Sequence, residues 1–489
     1  MSTTYAGNTY TPTAKRLESC KQQSTPSLIP PYASHCIMWR SMKNRLGIDK
    51  SIAYNSAGQM VSAAGGFITA IFILKCLNGV EQGYYYTFKS ILAIQVFFEL
   101  GMNTVITQYA AHEVPHLMWN GNKLEGDILF RSRLASLLKF CLKWYGCFSL
   151  LLLMALYIGG QAFFGHYGEE NAETVTWREP WLILCITTAA NLFLTPLFSF
   201  LQGLGKVEEV ARYTFYKFTL YLISVLAAFS CGAGLYALSI GNVVNIAVSA
   251  LFLCFTPMGR IMYGIFITPV TVKISYLHEI FPFQWKIAVS WISGYFIFQL
   301  FNPVIFATDG AEAAGQMGMT LTVLTGIQAL TLNWTSTKIP VYSGLIEKKD
   351  YKALDLLFHR TLRQATAVNA ACLLMFLIGI ALFRYGEINV YGVDIAARFL
   401  PLLPMVLMMV PEWINQWVTA WATYLRCHKK EPFLPYSVVT GVLCCMSTLG
   451  AGHCMGMTGV TTGYCCITIA MMPWAYNIFK TKRQQWHNN

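Results

Sequence analysis

Residues 94–112 read IQVFFELGMNTVITQYAAH, and residues 327–345 read IQALTLNWTSTKIPVYSGL. The two segments align without a gap, and a tyrosine, Tyr109 or Tyr342, follows the first glutamine at the same distance. Each segment predicts a long apolar helix with an ionisable side chain, Glu99 in the first and Lys338 in the second. A charge in a membrane helix is costly, so it usually faces a water-filled or protein-lined interior. The pair therefore indicates a membrane protein built from two related halves.

The repeat extends on both sides of this segment. Before it, NGVEQGYYY at 78–86 corresponds to DGAEAAGQM at 309–317, and after it LFRSRL at 129–134 corresponds to LFHRTL at 357–362. Each half contains six apolar runs, an even number, so both halves enter the membrane from the same side. We therefore expect them to be related by a pseudo-two-fold axis along the membrane normal.

The composition is that of a polytopic membrane protein. Of 489 residues, 55% are hydrophobic and 12% are charged, whereas roughly a quarter of an average soluble protein is charged. Runs long enough to cross a bilayer of roughly 30 Å recur along the chain, and their backbone must be helical in lipid. The sequence thus predicts an all-α protein with twelve transmembrane helices in two six-helix lobes. The predicted spans are 53–74, 84–111, 134–160, 180–202, 210–231, 235–256, 285–306, 314–340, 361–383, 397–425, 433–451 and 457–479.

The positive charge orients the chain. When alternate loops are assigned to alternate sides of the membrane, all but five of the 35 Lys and Arg residues fall on the side of the N-terminus. The exceptions are Lys75, Lys89, Arg178, Arg384 and Arg398. The positive-inside rule then places both termini in the cytoplasm. Since the orientation in the membrane accounts for the net charge of +12, we expect no nucleic-acid partner.

The predicted domains follow from the spans. They are a cytoplasmic tail (1–50), an N-lobe (51–256), a cytoplasmic linker (257–284), a C-lobe (285–480) and a short cytoplasmic tail (481–489). Within the first tail, HCIMWRSMKNRL at 35–46 places apolar residues on one helical face beside basic ones, a pattern that suits a helix in the lipid interface. A disordered basic tail is the alternative.

One stretch resembles a known family. YNSAGQ at 54–59, followed by GYYYTF at 83–88 and the segment at 94–113, is similar to polysaccharide flippases of the Wzx type. These belong to the MATE-like multidrug/oligosaccharidyl-lipid/polysaccharide (MOP) superfamily. The resemblance implies two six-helix lobes in a V around a central cavity, which spans 1, 2, 7 and 8 would line. The major facilitator fold also has six plus six spans, but the loop at 112–127 lacks its Gly-Asp-Arg-Gly-Arg-like turn.

The resemblance also implies a function. It indicates a flippase of the bacterial inner membrane that moves an oligosaccharide linked to undecaprenyl diphosphate to the outer leaflet, for O-antigen or other polysaccharide synthesis. A proton or sodium gradient would drive it, and membrane lipids and polysaccharide assembly proteins would be its other partners. The alternatives are a MATE-type drug/cation antiporter, or a membrane-bound polysaccharide polymerase or acyltransferase. We expect a transporter without cofactor, metal or catalytic residues, and no Walker A sequence is present.

Polar side chains in the spans are the candidate substrate-binding groups. Gln95 and Asn103 share a helix face with Glu99 because they are spaced four apart, and Lys89 lies further toward the predicted outside. A lysine in a low-dielectric cavity would hold an anionic diphosphate strongly. Amides also join membrane helices, and lysines near helix ends snorkel to the surface, so these remain alternatives. The predicted binding residues are Asn55, Gln59, Lys89, Gln95, Asn103, Lys143, Lys217, Gln328, Lys338 and Gln416.

Two acids are the candidate coupling sites. Glu99 and Glu412 lie near the middle of their predicted spans, where a bound proton or sodium ion would neutralise them. Pro411, beside Glu412, removes a helical hydrogen bond; with Gly294 and Pro303 it is a predicted hinge. A tryptophan stripe at 413, 417 and 421 could stack on sugar rings or pack against a neighbouring helix.

Overall fold

The computed structural model describes residues 50–121, 123–169, 175–271, 281–387, 389–390, 392–428 and 430–487. The predicted interfacial helix at 35–46 and the end of the predicted linker at 272–280 lie outside these ranges. Within them, helices cover each of the twelve predicted spans. Judged by length and composition, seven helical stretches of the described chain could cross a membrane individually. The all-helical architecture predicted from the apolar runs is confirmed.

The first half, the N-lobe, contains helices α1 to α8, and α9 follows it. Their bounds are α1 (Lys50–Cys76), α2 (Gly79–Leu92), α3 (Val96–Glu99), α4 (Met102–Glu113), α5 (Ile128–Tyr167), α6 (Arg178–Gly203), α7 (Val207–Ser230), α8 (Tyr236–Phe255) and α9 (Pro257–Phe266). A short hairpin, β1 (Leu117–Asn120) and β2 (Lys123–Gly126), precedes α5. Helix α9 lies within the predicted linker and packs on α5 and α8.

The second half, the C-lobe, contains helices α10 to α16. Their bounds are α10 (Phe281–Phe298), α11 (Phe301–Thr308), α12 (Gly310–Ser336), α13 (Ile339–Glu347), α14 (Tyr351–Tyr385), α15 (Leu402–Arg426) and α16 (Leu434–His487). Strands β3 (Asn389–Val390) and β4 (Val393–Asp394) form a small hairpin before α15. Helix α16 covers both predicted spans 11 and 12. Gly456 interrupts it between the two spans with φ 55° and ψ −139°.

The repeated segment is not one continuous helix, so that prediction is wrong. A 3-10 turn at Ala93–Gln95 separates α2 from α3, and Leu100 (φ 48°) and Gly101 (φ 64°) separate α3 from α4. Its repeat partner is likewise divided, between α12 and α13. A left-handed leucine is strained. The surrounding structure compensates the break, since the Tyr145 hydroxyl donates to the carbonyl of Glu99 at 3.4 Å.

The two repeat halves meet through equivalent helices, α2 and α12. The Gln82 side chain donates from Nε2 to the carbonyl of Gly315 at 2.8 Å, and the Tyr86 hydroxyl lies 3.3 Å from Met319 Sδ. Each pair is separated by 233 positions, the offset between 94–112 and 327–345, while the stretches at 78–86 and 309–317 align at an offset of 231. Helices that contact their own equivalents lie beside the symmetry axis. The pseudo-two-fold axis therefore passes between α2 and α12.

Small residues allow α2 and α12 to approach closely, as is common between membrane helices. A Cβ at Gly83 would collide with the carbonyl of Ala311, and one at Gly315 would lie 2.9 Å from the backbone nitrogen of Gly83. At the same end, Arg398 donates from Nη2 to the carbonyl of Leu77 at 2.7 Å. The lobes are thus joined at the end that the charge pattern predicts to be outer.

Apolar side chains also cover much of the outside. On α5, Leu150, Leu151 and Met154 are 65%, 55% and 58% exposed. Exposed apolar surface of this extent requires an apolar environment or a partner, so it agrees with a membrane-embedded bundle. Inside, Tyr84 of the N-lobe packs edge-to-face on Phe306 of the C-lobe, with ring centroids 5.0 Å apart.

Candidate functional site

Lys89 lies at the meeting point of three cavities. Its ammonium is 5.7 Å from the ring centre of Tyr85 and 6.0 Å from that of Tyr86, distances at which a cation is attracted to an aromatic face. Two of the cavities, with volumes of about 280 and 250 Å³, are lined by N-lobe residues, to which Thr322 of α12 is added in the larger one. The third, of about 410 Å³, lies between the lobes. We call these the N-lobe cavities and the inter-lobe cavity.

The N-lobe cavities are lined by amides and hydroxyls as well as by Lys89. Gln95 and Asn191 both line the smaller one. Lys217 donates from Nζ to Asn191 Oδ1 at 3.4 Å and lies 5.8 Å from the ring centre of Tyr213. Lys89 therefore lines the cavity directly, whereas Lys217 lines none of the three cavities and lies behind Asn191. Such an interior suits an anion that also carries hydroxyl groups.

Three lining amides were not among the predicted binding residues. They are Asn191 on α6 and Asn242 and Asn245 on α8. The Oδ1 atom of Asn245 is buried without a hydrogen-bond partner in the described part of the chain. The spacing of three between the α8 amides, in a strongly apolar span, is a sequence signal that could have identified them.

The inter-lobe cavity brings together charges from both halves. Lys89 comes from the N-lobe, and Glu412 on α15 comes from the C-lobe. Glu412 is only 8% exposed, and its Oε1 atom has no hydrogen-bond partner among the described residues. A buried carboxylate oxygen without a donor is costly and indicates a site for a proton, an ion or water. Gln328 and Tyr464 also line this cavity.

Glu99 lies at the break in the second span, away from the lining of these cavities. Gln95 donates from Nε2 to Glu99 Oε1 at 3.1 Å, and Asn103 donates from Nδ2 to Oε2 at 3.4 Å. In the described structure Glu99 thus has amide partners, and no ion pair joins it to Lys89. The predicted stripe of Gln95, Glu99 and Asn103 is therefore a hydrogen-bonded unit across the break between α3 and α4.

The structure does not bring every predicted binding residue to the cavities. Lys143 on α5 and Lys338, where α12 meets α13, are exposed and line none of the three. Gln416 is fully buried inside the C-lobe, where its Oε1 accepts from the Thr331 hydroxyl at 3.0 Å. Asn55 and Gln59 belong to α1, but their side chains lie outside the described part of the structure.

The predicted hinges differ in their surroundings. Pro303 lies in the first turn of α11, just after the break that separates α10 from α11. Its missing N–H accounts for a lost helical hydrogen bond there. Gly294 lies inside α10, and Pro411 lies inside α15 without interrupting it.

The tryptophan stripe lies apart from these cavities. Trp413 and Trp417 have ring centroids 4.9 Å apart, and Trp417 and Trp421 have centroids 6.2 Å apart. All three line a separate groove of about 500 Å³ between α14, α15 and the end of α16. The stripe is therefore not placed to stack on a sugar held near Lys89.

Comparisons with known proteins identify the fold. No protein-family model matches the chain, and no curated protein matches its sequence. An inward-facing MATE family transporter of the MOP superfamily superposes with a TM-score of 0.55, at 11% identity, over 86% of this chain and 99% of that one. The lipid II flippase MurJ in an inward closed conformation gives 0.53, at 12% identity, over 88% and 87%. The Vibrio cholerae MATE transporter VcmN gives 0.52, at 12% identity, over 90% and 97%.

At identities of 11–12%, the structural similarity establishes the fold alone. The chain has the two-lobe, MATE-like fold of MOP-superfamily transporters, as the sequence predicted.

Proposed function

We propose that this protein flips an isoprenoid-diphosphate-linked oligosaccharide from the cytoplasmic to the outer leaflet of a bacterial inner membrane. The observation that carries the proposal is the position of Lys89, where the N-lobe cavities and the inter-lobe cavity meet. Its ammonium contacts tyrosine rings and, in the described structure, no carboxylate. It is therefore available to an anionic group, and in a low-dielectric cavity it would attract a diphosphate strongly.

The other residues that line the N-lobe cavities suit the oligosaccharide part of the proposed substrate. Amides such as Asn191, Asn242 and Asn245 can donate to and accept from sugar hydroxyls. Lys217, held against Asn191, adds a second cation beside them. One structure with this fold is a lipid II flippase, which supports a lipid-linked substrate for this fold. The hydrocarbon tail would remain in the membrane.

Alternating access would follow from the contact between α2 and α12. The bonds from Gln82 to Gly315 and from Arg398 to Leu77 join the lobes at the predicted outer end. Opening toward that side requires these contacts to separate. The breaks at Leu100–Gly101 and between α10 and α11 are positions where a helix can bend while its halves remain rigid.

Glu412 is the proposed coupling site, with Glu99 as the second candidate. Glu412 shares the inter-lobe cavity with Lys89, and its Oε1 atom has no hydrogen-bond partner in the described part of the chain. Binding of an inward-moving proton or Na⁺ would neutralise it, and a neutral side chain is less costly to bury as the lobes rearrange. This would drive the return of the empty transporter.

The test replaces Lys89 in proteoliposomes that contain a fluorescent oligosaccharide on an isoprenyl diphosphate. Lys89→Ala should lower the flipping rate by at least about tenfold, because the cation that holds the diphosphate is lost. Lys89→Arg should retain part of the rate, since charge is kept while geometry changes. Lys352→Ala, at an exposed lysine outside the cavities, is the matched control. Normal flipping by Lys89→Ala would refute the proposal.

A MATE-type cation antiporter is the second candidate, because the unpartnered carboxylate of Glu412 would also suit a cationic substrate. Ethidium efflux from the same proteoliposomes separates the two. Ethidium transport that requires Glu412 but not Lys89, together with no oligosaccharide flipping, would select the antiporter.

A further inference from the structure

The groove beside the tryptophan stripe is a second built site. Trp413, Trp417 and Trp421 form one wall from α15, and Tyr476 and Phe479 of α16 face them. The Trp417 indole donates from Nε1 to the Thr366 hydroxyl of α14 at 2.9 Å. This bond and the ring contacts fix the aromatic wall. The groove, of about 500 Å³, is large enough for part of a hydrocarbon chain.

One end of the groove is strongly basic. Arg363 of α14 and Lys480 and Arg483 of α16 line it together with His359. His359 Nε2 lies 3.3 Å from Arg483 Nη1. Among the described residues that line the groove, none is acidic. Asp355, one turn before His359, accepts a hydrogen bond from the Tyr424 hydroxyl at 2.7 Å and lies 3.8 Å from His487 Nδ1. No carboxylate of the described residues forms an ion pair with Arg363, Lys480 or Arg483.

The cations lie at the boundary of the apolar segments. Arg363 is the third residue of the apolar run at 361–383, and Lys480 directly follows the run at 457–479. This places them at the level where a bilayer changes from hydrocarbon to headgroups. Beyond the groove, Leu374 and Ile378 of α14 are 57% and 56% exposed. The groove therefore leads from a basic end onto the lipid-facing surface.

We infer that this groove binds one anionic membrane phospholipid, with its phosphate among Arg363, Lys480 and Arg483 and an acyl chain along the tryptophan stripe. Guanidinium groups bind phosphate oxygens in a bidentate manner, and the aromatic wall supplies apolar area to the chain. The site is separate from the cavities around Lys89 and does not depend on the transported substrate. An isoprenyl phosphate has the same head and tail chemistry, so the experiment must distinguish it.

Native mass spectrometry of the full chain in mild detergent tests the inference. The wild type is mixed with dioleoyl phosphatidylglycerol, dioleoyl phosphatidylcholine or an isoprenyl phosphate of similar length. We expect one phosphatidylglycerol to be retained, with at least about tenfold lower retention of phosphatidylcholine. The variant Arg363→Gln/Arg483→Gln should lose phosphatidylglycerol by a similar factor. The control Lys348→Gln/Lys349→Gln, which removes equal charge between α13 and α14, should retain it.

Fluorescence in vesicles gives an independent readout that does not depend on those variants. Phosphatidylglycerol with brominated acyl chains should quench tryptophan more than brominated phosphatidylcholine at equal content. Replacing Trp413, Trp417 and Trp421 by Phe should remove that difference. Equal retention of both phospholipids, unchanged retention by the double Gln variant, or preferential retention of the isoprenyl phosphate would each overturn the assignment.

Discussion

At the scale of single residues, Glu412 is the position with the sharpest expected phenotype. Its side chain is only 8% exposed, and its Oε1 atom accepts no hydrogen bond from the residues that the structure describes. Glu412→Gln keeps the shape and removes the charge, so folding and substrate binding should persist. Transport should stop responding to an imposed proton or sodium gradient, because the neutralisable group is gone. Gradient-driven flipping in proteoliposomes measures this, and Glu99→Gln is the parallel variant. A full gradient response in both variants would remove both acids as coupling sites.

The sequence predicted four residues that line the cavities, Lys89, Gln95, Gln328 and Glu412, and missed others. Lys89, Glu99 and Glu412 are conspicuous in the sequence because a charge in an apolar run is costly and therefore indicates a functional position. Asn191, Asn242 and Asn245 are not, since amides also join helices that contain no site. Lys143 and Lys338 were predicted to bind substrate but line none of the three cavities. A linear pattern gives the spacing of residues on a helix but not the direction in which the helix faces within the bundle.

At the scale of elements, the break after Glu99 is the feature that the sequence concealed. The apolar run is continuous through Leu100, and only Gly101 permits a positive φ without cost. The packing of the bundle imposes the positive φ of Leu100, which is strained. Apolar runs therefore predicted the helical spans, and Pro303 and Pro340 mark the discontinuities in the seventh and eighth spans, whereas the break in the second depends on tertiary contacts.

This break predicts a difference between two glycines. Gly101→Ala should lower stability by about 1–2 kcal/mol, because alanine is strained at φ 64°. Gly165→Ala is the control. It lies in helix α5, where no described atom beyond the neighbouring backbone of that helix comes within 4 Å of an added Cβ, so the substitution should be neutral or stabilising. Thermal unfolding in detergent, followed by intrinsic fluorescence, compares them. Equal melting temperatures for the two variants would contradict the left-handed geometry.

At the scale of the whole molecule, the charge distribution predicts the orientation in the membrane. Asp309 lies at the start of α12, where its carboxylate accepts from the backbone of Met457 at 2.9 Å. Lys349 lies in the turn between α13 and α14. In a chain depleted of reactive native cysteines, a cysteine at 349 should react with an impermeant thiol reagent only from the cytoplasmic side. A cysteine replacing Glu312, in the first turn of α12, should react only from outside. Reversed labelling would invert the predicted topology.

The pseudo-two-fold axis between α2 and α12 leads to a test of alternating access. A Cβ at Gly79 of α2 would lie 3.2 Å from Glu312 Cγ of α12, so Gly79→Cys/Glu312→Cys places two thiols within reach of each other beside the axis at the predicted outer end. Oxidation should cross-link the lobes and stop flipping, because opening toward that side separates α2 from α12. Reduction should restore the rate, and each single cysteine variant should be insensitive to oxidant. If the cross-linked protein still flips its substrate, the lobes do not separate along this contact, and the substrate must cross by a route that leaves α2 and α12 together.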